Sequence, residues 1–199
     1  MSEHYFTADP SADAVRREVA ARIAGEQYRF TTAAGTFSAE RLDPGTSVLL
    51  DRGPQPSGRT LLDLGCGWGP VAVTLARRVP AATVWAVDVN RRALDLTRAN
   101  SAVAGVGDRV HAVEPDAVPA GLAFDAIWSN PPIRVGKPEL HAMLLHWLPR
   151  LAPGGAAWLV VARNLGADSL AGWLAAAGHP TARHASAKGY RVLRVDARP

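Results

Sequence analysis

The chain has 199 residues, 48% of them apolar, which suits one domain with a substantial core and excludes a disordered chain. No apolar run reaches membrane-spanning length, Met1-Ser2-Glu3-His4 does not begin a signal peptide, and the single Cys excludes an internal disulfide, so a cytoplasmic location is expected. The formal net charge of +4 and the pI of about 9.8 favour an anionic partner such as nucleic acid.

Residues 1–58 read as an N-terminal extension packed on the core. Val15, Val19 and Ile23 recur at helical spacing, yet Val19, Ala21 and Ile23 also alternate with polar or small neighbours as a strand does. Tyr28-Arg29-Phe30-Thr31-Thr32 is rich in strand formers, and Gly25-Glu26 is a turn between the two stretches. An antiparallel hairpin is the reading that uses both. Gly35-Thr36-Phe37-Ser38 reads as another short strand. Asp43-Pro44-Gly45-Thr46 reads as a turn or as a helix start leading into Ser47-Val48-Leu49-Leu50. The Pro- and Gly-rich stretch from Gly53 to Gly58 reads as a linker.

From residue 59 to 199 strands and helices alternate as one compact unit. Strands are predicted at Thr60 to Leu64, Thr83 to Asp88, Val110 to Val113, Phe124 to Ser129, Ala156 to Val161 and Arg191 to Val195. Helices are predicted from Val71 to Val79, from Arg91 to Val103 with Asn90 as its cap, from Pro138 through Leu151, and from Ser169 to Ala177. Strands separated by helices imply an α/β, doubly wound, mostly parallel sheet with right-handed crossovers. Ligands of such sheets bind just beyond the carboxyl ends of the strands.

Three of those ends carry chemistry. The first is Asp63-Leu64-Gly65-Cys66-Gly67-Trp68-Gly69, a glycine loop between strand and helix that exposes backbone amides at a helix start. It misses the dinucleotide fingerprint because Pro70 stands where a third glycine belongs. Missing side chains at Gly65, Gly67 and Gly69 let a ligand approach the backbone closely. The second is Asp88, whose carboxylate can accept both hydroxyl hydrogen bonds of a ribose. Asp116, after the Val110 strand, is a candidate acceptor for an adenine amino group.

The third end is Asn130-Pro131-Pro132. An exocyclic amine on a base is a poor nucleophile because its lone pair is delocalised into the ring. Two acceptors aimed at its two hydrogens draw the nitrogen towards tetrahedral geometry and free the pair. The Asn130 side-chain oxygen is one such acceptor and the Pro131 carbonyl the other. Proline fixes φ and has no amide hydrogen, so a carbonyl in such a segment is aimed at small entropic cost. Positioning of this kind needs no strong base.

The loop Asp63 to Gly69 resembles the first motif of class I methyltransferases, which bind S-adenosylmethionine, with Asp63 facing the ammonium end of that ligand. The string Ser129-Asn130-Pro131-Pro132-Ile133-Arg134-Val135-Gly136-Lys137 resembles the methyltransferase small domain family, and in particular its single-domain branch related to ribosomal RNA guanine-N2 methyltransferases. His4-Tyr5-Phe6, Gly35-Thr36-Phe37-Ser38, Leu42-Asp43-Pro44-Gly45-Thr46 with Leu49-Leu50, and Lys188-Gly189-Tyr190 resemble further segments of that family. The resemblance implies ribosomal RNA, or a ribosomal subunit, as partner and a guanine 2-amino group as target. Many amino methyltransferases carry an aromatic residue after Asn-Pro-Pro; here Ile133 stands there, and Phe37, Trp68 and Tyr190 are the candidates to stack on a target base. Arg134, Lys137 and Lys188 are candidates to hold a phosphate. Lys137 and Lys188 are the only lysines among 22 basic residues, so an ammonium rather than a guanidinium can be what those positions need.

Other signals carry less. Cys66 has no neighbouring base to activate it. His141 and His146 stand at the wrong helical spacing to share a metal, and no metal is expected. Methylation of a protein glutamine or a small-molecule amine shares the Asn-Pro-Pro logic, and a ribosome-binding factor without turnover shares the fold.

Overall fold

The computed structural model describes residues 15–198, so the His4-Tyr5-Phe6 resemblance lies outside the described residues. Strands β1 (Arg16–Ile23) and β2 (Glu26–Ala33) form an antiparallel hairpin in which Ile23 pairs with Glu26. Alternation decides this over the helical spacing: Val19, Ala21 and Ile23 turn inward with Tyr28 and Phe30. The turn is Ala24-Gly25, both with positive φ, the geometry whose twist matches that of a two-residue hairpin. Helix α1 (Pro44–Arg52) is capped by Asp43, whose side chain accepts from the Thr46 amide at 3.0 Å. Pro44 suits its first turn, where an amide hydrogen has no partner within the helix.

The main unit contains β3 (Thr60–Leu64), α2 (Pro70–Arg78), β4 (Thr83–Val87), α3 (Arg91–Val103), β5 (Val110–Val113), β6 (Phe124–Ser129), α4 (Lys137–Trp147), β7 (Leu151–Ala162), α5 (Ala167–Ala176), β8 (Thr181–Ala187) and β9 (Tyr190–Asp196). Seven strands make one sheet in the order β5-β4-β3-β6-β7-β9-β8. The first five run parallel, whereas β9 is antiparallel to both β7 and β8. This is the class I methyltransferase fold. The order reverses between β3 and β6, which opens a crevice at their carboxyl ends.

Alternating side chains divide the core between the two faces of the sheet. Ala126 and Trp128 of β6 join one apolar cluster with α1, α2, α3 and the hairpin, while Ile127 joins the other with α4 and α5, as does Phe124 across an irregularity in the pairing between Phe124 and Ala126. The hairpin is pinned to the main unit by a buried amide. Asn100 of α3 accepts from the Thr31 amide and donates to the carbonyls of Thr31 and Trp68. Every polar atom of that side chain is paired, so its burial is not penalised.

The structure corrects the sequence reading at four places. Gly35 to Ser38 is a turn and not a strand. Helix α4 stops at Trp147 and gives way to a 3-10 turn at Leu148–Arg150, because Pro149 offers no amide hydrogen to the ladder. Strand β7 begins at Leu151 and runs through Pro153-Gly154-Gly155. Strand β8 has no counterpart in the sequence reading: it is an edge strand, mostly exposed, with no apolar alternation to mark it.

Candidate active site

The carboxyl ends of β3, β4 and β6 open on one cavity of about 600 Å³. Gly65, Gly67, Asp88, Asn90, Asn130, Pro131, Pro132, Ile133, Arg134, Phe37 and Tyr190 all line it. The glycine loop closes over β4, with the amides of Gly65 and Cys66 donating to the Val87 carbonyl at 2.8 and 3.0 Å. Gly67 has φ +56, and a Cβ there would meet nothing within 4 Å, so glycine serves the turn and keeps the cavity open. Gly69 differs: a Cβ would stand 2.9 Å from the Thr97 hydroxyl, so glycine there lets α3 pack against the loop.

Asp88 stands on the cavity wall. Its two oxygens accept from the Gly67 amide and the Asn90 amide, each at 2.9 Å. Burial pushes its carboxyl above the usual range, and the two amides oppose that shift. Asp63 lies deeper. It accepts from the Ala72 amide of α2 at 2.9 Å, and burial pushes its carboxyl up to about 8. It faces a recess of about 30 Å³ beside the main cavity, bordered also by Asp43, Thr46, Gly65 and Asn130. Asn90 caps α3 by accepting from the Ala93 amide, and its side-chain nitrogen donates to the Gly35 carbonyl.

At the third strand end, the Asn130 side-chain nitrogen donates to Asp43 Oδ1 at 2.7 Å and to Thr46 Oγ1 at 3.0 Å. Both amide hydrogens are thereby engaged by α1 and its cap, which leaves Oδ1 as the end that can accept from a ligand. Pro131 is held as firmly. Its carbonyl accepts from the Ile133 amide at 2.8 Å, closing a three-residue turn around Pro132 with φ −74 and ψ 76. The proline ring presets that φ, and the second lone pair of the carbonyl stays available.

The site differs from expectation in four side chains. Asp116 is exposed on the short turn Pro115–Ala117, and Pro115 rather than Asp116 lines the cavity. Lys137 is exposed at the start of α4, outside the lining. Lys188 is exposed at the tip of the β8–β9 turn, two residues before Tyr190, which does line it. Trp68 is buried in the core against Phe30, ring centroids 5.0 Å apart, and offers no face to a base. Phe37 is 38% exposed and lines the cavity wall. Sequence reasoning missed Asp43 and Thr46 as partners of Asn130, and the apolar wall of Met143, Trp147 and Leu165. The Asp-Pro-Gly-Thr string signalled a helix cap but not its distant partner.

Cys66 is buried, and burial together with the nearby Asp88 and Asp63 charges pushes its thiol well up, so no thiolate is available. Among the described residues no three His, Cys, Asp or Glu side chains gather as metal ligands, and no helix is long and apolar enough to cross a membrane.

The residues present fit S-adenosylmethionine. Asp88 offers a carboxylate for a ribose, Leu64, Val87, Val89, Ala93 and Pro115 offer apolar walls for a purine, and the Asp63 recess offers a buried acid for an ammonium.

The family model described as "Methyltransferase small domain" matches residues 27–194. "Uncharacterized protein YbxB" of Bacillus subtilis is 33% identical over 173 residues, 85% of this chain and 86% of that protein. "Ribosomal RNA small subunit methyltransferase C" of Hahella chejuensis is 40% identical over 143 residues, 67% of this chain and 40% of that protein. Among solved structures, the Thermus thermophilus ("T. Thermophilus") 16S rRNA N2 G1207 methyltransferase (RsmC) in complex with AdoMet and guanosine superposes with a TM-score of 0.75 at 28% identity, over 95% of this chain and 52% of that one. The chain thus spans about half or less of these two ribosomal RNA methyltransferases.

Proposed function

The chain belongs to the methyltransferase small domain family and takes S-adenosylmethionine as its methyl donor, and on that premise we propose that it methylates the exocyclic 2-amino group of a guanine in small-subunit ribosomal RNA. The observation that carries this reading is the orientation of Asn130. Asp43 and Thr46 take both of its amide hydrogens, which leaves Oδ1 as the end that can accept from a ligand in the cavity that Asn130 and Pro131 both line. Two acceptors and no donor at that point suit an amino group with two hydrogens.

When bound, S-adenosylmethionine supplies an electrophilic methyl carbon on a sulfonium. Asp88 and the Asp63 recess would hold that group, and the turn at Gly65 and Gly67, where no side chain stands in the way, would let it approach the backbone closely. Asn130 Oδ1 and the Pro131 carbonyl each accept one hydrogen of the substrate amine and localise its lone pair. Holding the amine this way converts an encounter into an oriented contact, an effect worth several kcal/mol, roughly 7–11 at its limit. The proton shed by the methylated amine passes to water, and no strong base is needed.

Phe37, Ile133 and Tyr190 supply a wall for the planar base. Taking a base out of its stack costs roughly a few kcal/mol, which favours a loosely structured RNA segment. Arg134 at the mouth, with Lys137 and Lys188 outside it, suits phosphates on either side of the target.

The test is to incubate the protein with labelled S-adenosylmethionine and ribosomal RNA, free and as assembled subunits, and to identify the modified nucleoside by mass spectrometry. N2-methylguanosine is expected. Label recovered only on a protein glutamine or on another nucleoside would replace this reading.

A further inference from the structure

We propose that Asp43 is a positioning residue for Asn130, fixing which end of the amide meets the substrate and strengthening it as an acceptor; this rests on the amino-methylation reading above. Asp43 Oδ1 accepts from the Asn130 side-chain nitrogen at 2.7 Å and from the Thr46 backbone amide at 3.0 Å. The same carboxylate therefore caps α1 and holds the side-chain amide of a residue that follows the central strand β6, 87 residues away in the chain. An ionised carboxylate has only acceptors. Turning the Asn130 amide over would set its oxygen against Asp43 Oδ1 at hydrogen-bond distance, two partial negative charges face to face. Thr46 Oγ1 takes the second amide hydrogen at 3.0 Å and blocks the intermediate orientations.

Charge adds a second effect. A carboxylate drawing on an amide N–H favours the resonance form with negative charge on the amide oxygen. Hydrogen bonds in such a chain polarise one another, and charge-assisted ones are roughly twice as strong as neutral ones. Asn130 Oδ1 then becomes a stronger acceptor for the amine hydrogen at the moment the nitrogen gains positive charge.

The surroundings are built to hold Asp43 there. A Cβ on Gly45 would stand 2.9 Å from Asp43 Oδ1 and 2.9 Å from Tyr190 Cε1, so glycine lets the tyrosine ring pack over the first turn of α1. Tyr190 and Asp43 both line the cavity. The N-terminal segment therefore contributes to the chemistry and does more than cover the sheet.

Asp43→Asn tests this, because asparagine also caps helices well and is nearly the same size. The amide oxygen that keeps the cap at position 43 still accepts from the Asn130 nitrogen, so Asp43→Asn removes the charge and its polarisation of Asn130 while leaving the fold, and Asp43→Ala removes the acceptor that sets the orientation as well. We expect kcat to fall tenfold or more with KM for RNA changed less than threefold, and the Kd of S-adenosylmethionine by calorimetry to change less than twofold. In an Asn130→Ala background, Asp43→Asn should reduce kcat no further. Thr46→Val should lower kcat several-fold and Thr46→Ser restore it. The side-chain ¹H–¹⁵N resonances of Asn130 should be shifted downfield in the wild type and lose that shift in Asp43→Asn, whatever the acceptor substrate proves to be. Wild-type kcat in Asp43→Asn, an additive loss in the Asn130→Ala background, or unmoved Asn130 resonances would overturn the proposal. Loss of RNA methylation by the wild type with the resonance shift intact would instead sink the substrate reading and leave the Asp43 contact standing.

Discussion

The Trp68 indole N–H donates to the Phe37 carbonyl at 3.0 Å, tying the N-terminal turn to the glycine loop. Two further side chains from the next motif hold the same turn. Asn90 donates to the Gly35 carbonyl and Arg92 to the Ala34 carbonyl, each at 2.8 Å. Phe37 reaches the cavity wall on a turn that Trp68, Asn90 and Arg92 hold in place.

Trp68→Phe keeps the apolar packing on Phe30 and removes that hydrogen bond. The expected loss is about 1 kcal/mol of stability, the usual net worth of one such bond. Urea unfolding measures it. Donor affinity should weaken by a few-fold in calorimetry, since Gly67 and Phe37 border the same cavity.

Asp88→Asn preserves size and still leaves an acceptor for the Gly67 amide. It removes the charge that a ribose would meet. The Kd for S-adenosylmethionine should rise tenfold or more, while kcat at saturating donor stays within a few-fold of wild type. An unchanged Kd would remove Asp88 from the donor site.

Asp63 has a signature in pH. In the folded chain its carboxyl keeps a proton to about pH 8, since burial disfavours the charge. In the unfolded chain the proton leaves near about pH 3.9. Between those values unfolding releases a proton, so this group's contribution to stability falls as pH rises, by at most about 1.4 kcal/mol per pH unit, and levels off above about pH 8. Compared with Asp63→Asn, the wild type should therefore lose relative stability between pH 5.5 and 8.5 in urea unfolding. A constant difference across that range would place the Asp63 titration elsewhere.

Arg134→Ala and Lys137→Ala should weaken RNA binding about equally for all sequences and reduce the slope of log K against log salt by roughly one each, the mark of a phosphate contact. Filter binding across a salt series reads this directly.

Much of the site could be read from the sequence because its parts are local. A strand, a glycine loop and a helix start lie within one short stretch from Asp63 to Pro70, and Asn130 directly follows the apolar strand β6. What the sequence hid is what folding brings together from afar. Asp43 and Asn130 are 87 residues apart, and neither stretch carries a local sign of the other. Strand β8 was hidden for a different reason: Thr181 to Ala187 has an exposed edge and nothing apolar enough to betray a period. Gly35-Thr36-Phe37-Ser38 misled because Phe and Thr favour strands, whereas bonds from Trp68 and Asn90 fold it into a turn. Tertiary contacts outweighed local propensity there.

The most direct measurement is single-turnover methyl transfer to ribosomal RNA by wild type and by Asn130→Ala, with donor and RNA binding followed in parallel. The account expects transfer to fall at least about a hundredfold, within the range ascribed to lost orientation, while both affinities stay within a few-fold of wild type. Transfer at the wild-type rate in Asn130→Ala, with the same nucleoside modified, would contradict it.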